Sequence, residues 1–147
     1  MLTLSNAEMR AIGKMLAIMA DEYSRKETAT PNEIIDLHPL LRPWRQGVYK
    51  AGQIVTYEKR PYRVISDHDS TNIPNWTPEL APSLFANFHG TDAKHALPWQ
   101  APTGAHDAYN KGEWMIYTDG ISYECQQNAT TWGPDVVPAA WRSEAKS

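Results

Sequence analysis

With 147 residues, 41% of them hydrophobic and 21% charged, the chain has the size and composition of one ordinary globular domain or two very small ones, which excludes wholesale disorder. Fourteen Lys and Arg against seventeen Asp and Glu give a net charge of −3, so the basic footprint left by phosphate-backbone binding is missing and nucleic acid is not an expected partner. The single cysteine, Cys125, excludes an intramolecular disulfide framework, so small modules must be held by packing alone.

The first elements read as helices. Ser5 followed by Glu8 is a capping box, and Met9, Ile12, Leu16, Met19 and Tyr23 then recur at three- and four-residue spacing. Arg10, Lys14, Asp21 and Arg25 take the opposite face. Two uses of the stripe are open: closure over the chain's own domain, or docking and oligomerisation through Met9, Ile12, Leu16 and Met19. The apolar run "MLAIMA" is too short to cross a bilayer and follows two cations, so neither a signal peptide nor membrane insertion is expected. In "TPNE", Thr30, Pro31 and Glu33 open a second, short helix that must stop by Pro39. "HPLLRPW" then reads as an extended connector.

From Tyr49 onward the texture changes to short β-runs, and the pattern occurs twice. Tyr49, Gly52, Tyr57, Tyr62, Trp76 and Phe85 correspond in order to Tyr109, Gly112, Tyr117, Tyr123, Trp132 and Trp141. Two copies are too few for a solenoid and imply a tandem duplication. In the second copy "MIYTDGISYEC" alternates around Asp119-Gly120, which predicts a two-residue type I′ turn. In the first, "IVTYEKRPYRVI" has no Gly at the bend, which predicts another turn type, and Pro61 argues against a central strand there. Cys125 shares a strand face with Tyr123 and reads as a small buried residue. Between the copies, residues 89–108 carry Pro98, Pro102 and Gly104 and read as a connector, with Trp99 plugging a neighbouring surface.

The stretches "YKAGQIVTYEKRPYRVISDHDSTNIPNWTPELAPSLF" and "YNKGEWMIYTDGISYECQQNATTWGPDVVPAAW" resemble the small chitin-binding type carbohydrate modules of families five and twelve. More closely, they are similar to carbohydrate-binding-like modules in tail-region proteins of phages that infect Gram-positive bacteria, which also carry a helix ahead of the module. The modules of chitinases have Ala-Lys-Trp-Trp after the strand Tyr, where this chain reads "RVIS" and "ECQQ". That departure argues against chitin itself. Phe85 stands where the family has Trp, which favours the second copy as the binder.

Sugar rings present a C–H face that stacks on indole or phenol, while amides and carboxylates take the hydroxyls. The candidate carbohydrate-binding residues are Trp114, Tyr117, Trp132 and Trp141 with Gln126, Gln127 and Asn128, and Tyr57 and Trp76 in the first copy. A module of this size needs most of its rings inside, so each candidate competes with a core role. In "WGPDVVPAAW" two Pro stiffen a loop that a Trp clamps at either end. "SDHDS" (66–70) and "HGTDAKH", with His89, Asp92 and His95, offer acid–base or metal-ligating groups, but neither sits on a recognisable catalytic motif. No catalytic residue, metal or cofactor is expected.

The sequence thus predicts an α+β chain: an N-terminal helical segment (1–43) followed by two small antiparallel β-modules of about three short strands each (44–88 and 109–147), joined by 89–108. The resemblance implies a non-enzymatic phage virion protein of the tail or baseplate region, assembled in the host cytoplasm and binding a bacterial cell-surface polysaccharide, with other virion proteins and copies of itself as partners. A purely structural virion role, as adaptor, head decoration or baseplate component, is the alternative.

Overall fold

The computed structural model of the chain describes residues 3–103 and 107–144. Gly104, expected as a breaker, lies outside the described residues. Helix α1 spans Asn6–Ser24 and α2 spans Pro31–Leu37. Both begin at their capping boxes: the Glu8 N–H donates to Ser5 Oγ at 3.1 Å and the Ser5 N–H donates back to Glu8 Oε1 at 3.1 Å. Thr30 and Glu33 repeat the arrangement at 3.2 and 2.9 Å. These bonds satisfy amides that the first helical turn leaves without partners.

The two helices differ in what covers them. Helix α2 buries Ile34 and Ile35 in a cluster with Ala20, Leu41, Ile54 and Phe88, each Ile contributing about 1.5–3 kcal/mol. Of α1, only Ala20 and Ser24 are buried. Met9, Ile12, Leu16 and Met19 remain 41–57% exposed. The apolar stripe therefore does not close over its own chain beyond the last turn.

The strands are β1 (Val48–Tyr49), β2 (Ile54–Tyr57), β3 (Arg60–Val64), β4 (His68–Asp69), β5 (Phe85–Asn87), β6 (Leu97–Pro98), β7 (Trp114–Ile116), β8 (Ser122–Cys125) and β9 (Trp141–Ser143). They form a β1-β4 pair, a β2-β3-β5 sheet and a β6-β7-β8-β9 sheet. The α+β class with small antiparallel sheets is as expected. One strand is not: β6 runs parallel to β7 and comes from within the stretch expected to be irregular. Pro98 had read as a breaker, yet an edge strand accepts Pro because one row of its amides needs no partner. Cys125 is fully buried, and its Sγ donates to the Gln127 carbonyl at 3.1 Å.

The backbone bonding repeats between the two sheets. Gly52 N–H donates to the Val64 carbonyl at 2.8 Å, and Gly112 N–H donates to the Cys125 carbonyl at 2.9 Å. Ile65 N–H to Leu84 O at 2.8 Å is matched by Gln126 N–H to Ala140 O at 2.7 Å. Trp44 N–H to Thr56 O at 2.9 Å is matched by Trp99 N–H to Ile116 O at 2.7 Å. Gly52 and Gly112 sit at φ +95° and +93°, third in turns closed by Gln53 N–H to Lys50 O and Glu113 N–H to Asn110 O. A type II turn requires that left-handed position, which explains the spacing of Tyr and Gly in both copies.

The two hairpins reverse the sequence expectation. In the first, Tyr57 pairs with Arg60, and the two residues between them, Glu58 and Lys59, sit at φ 50° and 63°, a type I′ turn without glycine. In the second, Gly120 N–H donates to the Tyr117 carbonyl and Tyr117 N–H to the Ile121 carbonyl, with only Gly120 at positive φ, +79°. That is a three-residue loop with a glycine bulge, so Asp119-Gly120 is not a two-residue turn. A two-residue loop must follow strand twist, and only the primed turn does so, whatever residues occupy it. Pro61 does lie in the central strand β3. It faces Thr56, whose own N–H and carbonyl bond Arg42 and Trp44 instead, and β5 pairs with β3 only from Tyr62 onward.

The parts are tied together by polar contacts. Arg60, buried at the end of the first hairpin, donates from Nη1 to the Pro98 carbonyl at 2.8 Å. Gln100 Nε2 donates to Tyr62 Oη at 3.1 Å. Asn32 of α2 donates to Thr91 Oγ1 at 2.8 Å, and His95 bonds both Asp36 and Asp92. A Cβ added at Gly90 would lie 2.1 Å from the His95 carbonyl oxygen, so only glycine fits that approach.

Candidate functional site

The second sheet carries a core of Tyr109, Met115, Cys125, Ala140 and Trp141. Trp99 stacks on Tyr109 with ring centroids 5.3 Å apart and meets Trp141 edge-on at 5.9 Å. His89 closes the far side of Tyr109 at 3.7 Å, nearly parallel. Such a column supplies apolar area and fixed ring geometry without disulfides.

Outside this column lies an open cleft of about 300 Å³, whose lining includes Trp99, Pro102, Tyr117, Trp132, Asp135 and Val136. Tyr117 stands edge-on to Trp99 at 5.6 Å and donates from Oη to Asp135 Oδ1 at 2.6 Å, a bond that pushes its hydroxyl pKa up to about 12. Trp132 is 62% exposed and Val136 59%. A flat indole in water beside a phenol and a carboxylate is the arrangement that stacks a sugar face and takes its hydroxyls. Gly133 makes it possible: a Cβ there would lie 2.7 Å from the Tyr117 ring.

The sequence-derived candidates separate on this geometry. Tyr117 and Trp132 share the cleft. Trp141, expected among the sugar-binding rings, is buried at 7% exposure and instead donates from Nε1 to the Trp132 carbonyl at 2.9 Å, anchoring the loop that presents Trp132. A small module needs at least one indole inside to fill its interior. Trp114 neighbours core-facing Met115 on β7, so strand alternation turns it to the other side of the sheet, away from the cleft. Asn128 accepts the Lys111 N–H at 3.0 Å and lines a separate depression of about 170 Å³ with Gln127 and the other side of Trp132. Gln126 Nε2 donates to the Glu124 carbonyl at 3.0 Å and lines neither.

On the first sheet, Tyr57 meets Trp44 edge-on at 5.7 Å and lines a shallow depression of about 360 Å³ with Pro39, Glu58 and Lys59. This pair matches Tyr117 and Trp99. Trp76 is half-buried, packs on the core of Tyr49, Val55, Tyr62 and Phe85, and lies edge-on to His68 at 6.2 Å. Trp99 and Asp135 were missed as site residues. The signal for Trp99 was present: "PW" precedes each copy, at 43–44 and 98–99.

The polar runs have structural work. Asp67 Oδ1 accepts the Ala51 N–H at 2.7 Å, His68 stacks on Tyr49 at 5.5 Å, and His89 Nδ1 bonds Glu113 at 3.0 Å. His95 is held between Asp92 at 2.7 Å and Asp36 at 2.9 Å, and its imidazole pKa is raised above 6.5, chiefly by the Asp92 bond. Among the described residues no group of three or more His, Cys, Asp or Glu is placed to hold a metal ion.

Residues 43–86 match the family model "Carbohydrate-binding module family 5/12", which supports a carbohydrate-binding module in that stretch. Among solved structures, a family GH18 chitinase from Chromobacterium violaceum is 28% identical over 39% of this chain and 15% of its own, with a TM-score of 0.30. This chain therefore spans a small fraction of the length of that chitinase. No curated protein matches the chain.

Proposed function

We propose that the chain is a non-enzymatic glycan-binding protein with two carbohydrate-binding modules in tandem, the second of which presents the main site. The observation that carries this reading is the exposed Trp132, held beside Tyr117 and Asp135 in an open cleft by a loop anchored on buried Trp141. The family match supports the first module. Its matched backbone bonds, and the Trp–Tyr pairs Trp44–Tyr57 and Trp99–Tyr117, support a duplication that begins at the Pro-Trp dipeptides and so reaches into the expected connector.

The ligand is a bacterial cell-surface polysaccharide and the setting is a phage virion, in the tail or baseplate region, assembled in the host cytoplasm. Support for the setting comes from the likeness of both copies, and of a helix ahead of them, to phage tail-region proteins of Gram-positive hosts. Two weak sites on one chain raise the effective affinity for a repetitive glycan. Pull-down of the full chain on Gram-positive cell walls tests the reading. Wild type is retained, and Trp132→Ala lowers retention at least tenfold while near-UV circular dichroism is unchanged. Equal retention of the two proteins sinks it.

A second reading has its own observation. Trp132 and Val136 are exposed side by side, which also suits docking onto another virion protein in a purely structural role as adaptor, head decoration or baseplate component. Failure of the folded chain to bind any wall preparation, with retention by purified virion parts, would favour it.

A further inference from the structure

Helix α1 leaves a seam uncovered that has the form of a self-association surface. Met9, Ile12, Leu16, Met19 and Tyr23 alternate at spacings of three and four, the a and d positions of successive heptads. All five are 36–57% exposed, although a 19-residue helix that packed along its own domain would bury such a stripe. Every charged residue of the helix, Glu8, Arg10, Lys14, Asp21 and Glu22, lies off those positions. The seam runs at its C-terminal end into an open apolar groove of about 440 Å³, where Leu16, Met19 and Tyr23 face Leu37 and Leu40.

We infer that this seam is covered by α1 of other copies of the same chain, in a bundle of three or four. The spacing is one that a second α1 can meet knob into hole, since the same repeat faces it. The area is of the right order: the five seam residues and Met15 leave on the order of 600 Å² of surface in water, somewhat below the ~800 Å² that each partner buries in a standard interface. The charge pattern points away from lipid, because two basic against three acidic residues lack the cationic face of a membrane-surface helix. That more than two helices meet follows from side-chain shape. The branched Ile12 occupies a d position and Leu16 an a position, an order that disfavours two-stranded coils, and Met15 widens the apolar face beyond a and d.

This goes beyond the glycan reading and multiplies it, since each copy added to the bundle would present two more modules. The experiment is sedimentation equilibrium of the full chain, paired with wall retention. Wild type should sediment at three or four times the 16.6 kDa chain mass. The double variant Ile12→Asp, Leu16→Asp should sediment as a monomer with the near-UV circular dichroism of the aromatic cores intact. Ile18→Asp, a 60% exposed site at a c position, should keep the wild-type mass. A monomeric or dimeric wild type, an oligomer untouched by the double variant, or equal disruption by Ile18→Asp overturns the inference. So does co-sedimentation of the wild-type chain with phosphatidylglycerol vesicles, which would give the seam to lipid. Each of these leaves retention of the monomer through Trp132 separately measurable, so the two readings fail independently.

Discussion

At the residue scale, the two Trp of one loop illustrate how burial divides labour between like side chains. Trp141 lies inside, and its Nε1 holds the carbonyl of Trp132, which lies outside. Trp141→Ala should lower stability by about 3–5 kcal/mol in urea unfolding, because the cavity left by an indole in a small core cannot collapse. Trp132→Ala should cost less than about 1 kcal/mol, since most of its surface is already in water. Gly133→Ala is a subtler probe. Its Cβ would press on the outer end of the Tyr117 ring, so a ring that yields should lose its bond to Asp135, and wall retention should fall while unfolding midpoints stay nearly constant. Calorimetric unfolding together with the pull-down checks this. A large loss of stability would mean that the ring cannot move. From sequence, Trp132 and Trp141 were equivalent candidates, because pattern reading counts rings and cannot tell which side of a loop each occupies.

At the element scale, the hairpins show that strand geometry outranks turn composition. The first two-residue loop places Glu58 and Lys59 in left-handed conformations at a cost of roughly 1–2 kcal/mol each. Lys59→Gly should therefore raise stability by up to about 1 kcal/mol in urea unfolding, the relief of strain being partly offset by the greater freedom of glycine in the unfolded chain. Gly120→Ala in the second hairpin should do the reverse by a similar amount, since φ +79° is needed there. The helices were legible for the opposite reason. Capping boxes and apolar stripes are local, so Ser5–Glu8 and Thr30–Glu33 marked both starts correctly. Strand β6 was not legible. Two residues including Pro98 carry no periodicity, and only the neighbouring β7 makes them a strand.

At the scale of the whole molecule, His95 joins α2 to the stretch between the sheets, bonding Asp36 with one ring nitrogen and Asp92 with the other. With two carboxylates as acceptors, Asp92 first, the charged ring is favoured and its folded-state pKa is raised above 6.5. The stabilisation is thus fully present below pH 6.5 and is lost as pH rises through the raised folded-state value. Urea midpoints of wild type should therefore fall as pH rises above 6.5 relative to His95→Gln, whose profile should be flatter over the same range. Parallel profiles would show that the contact contributes nothing to folding.

The sequence by itself determined the helix starts, the duplicated order of Tyr, Gly and Trp, and the small α+β plan, because caps, type II turns and alternation are written in near neighbours. Tertiary structure alone decided which rings are core and which face water, that Pro98 and Trp99 join the second sheet, and that the stripe of α1 is left bare. Each of those outcomes depends on how much surface a distant part of the chain has to offer, a quantity that no local spacing records.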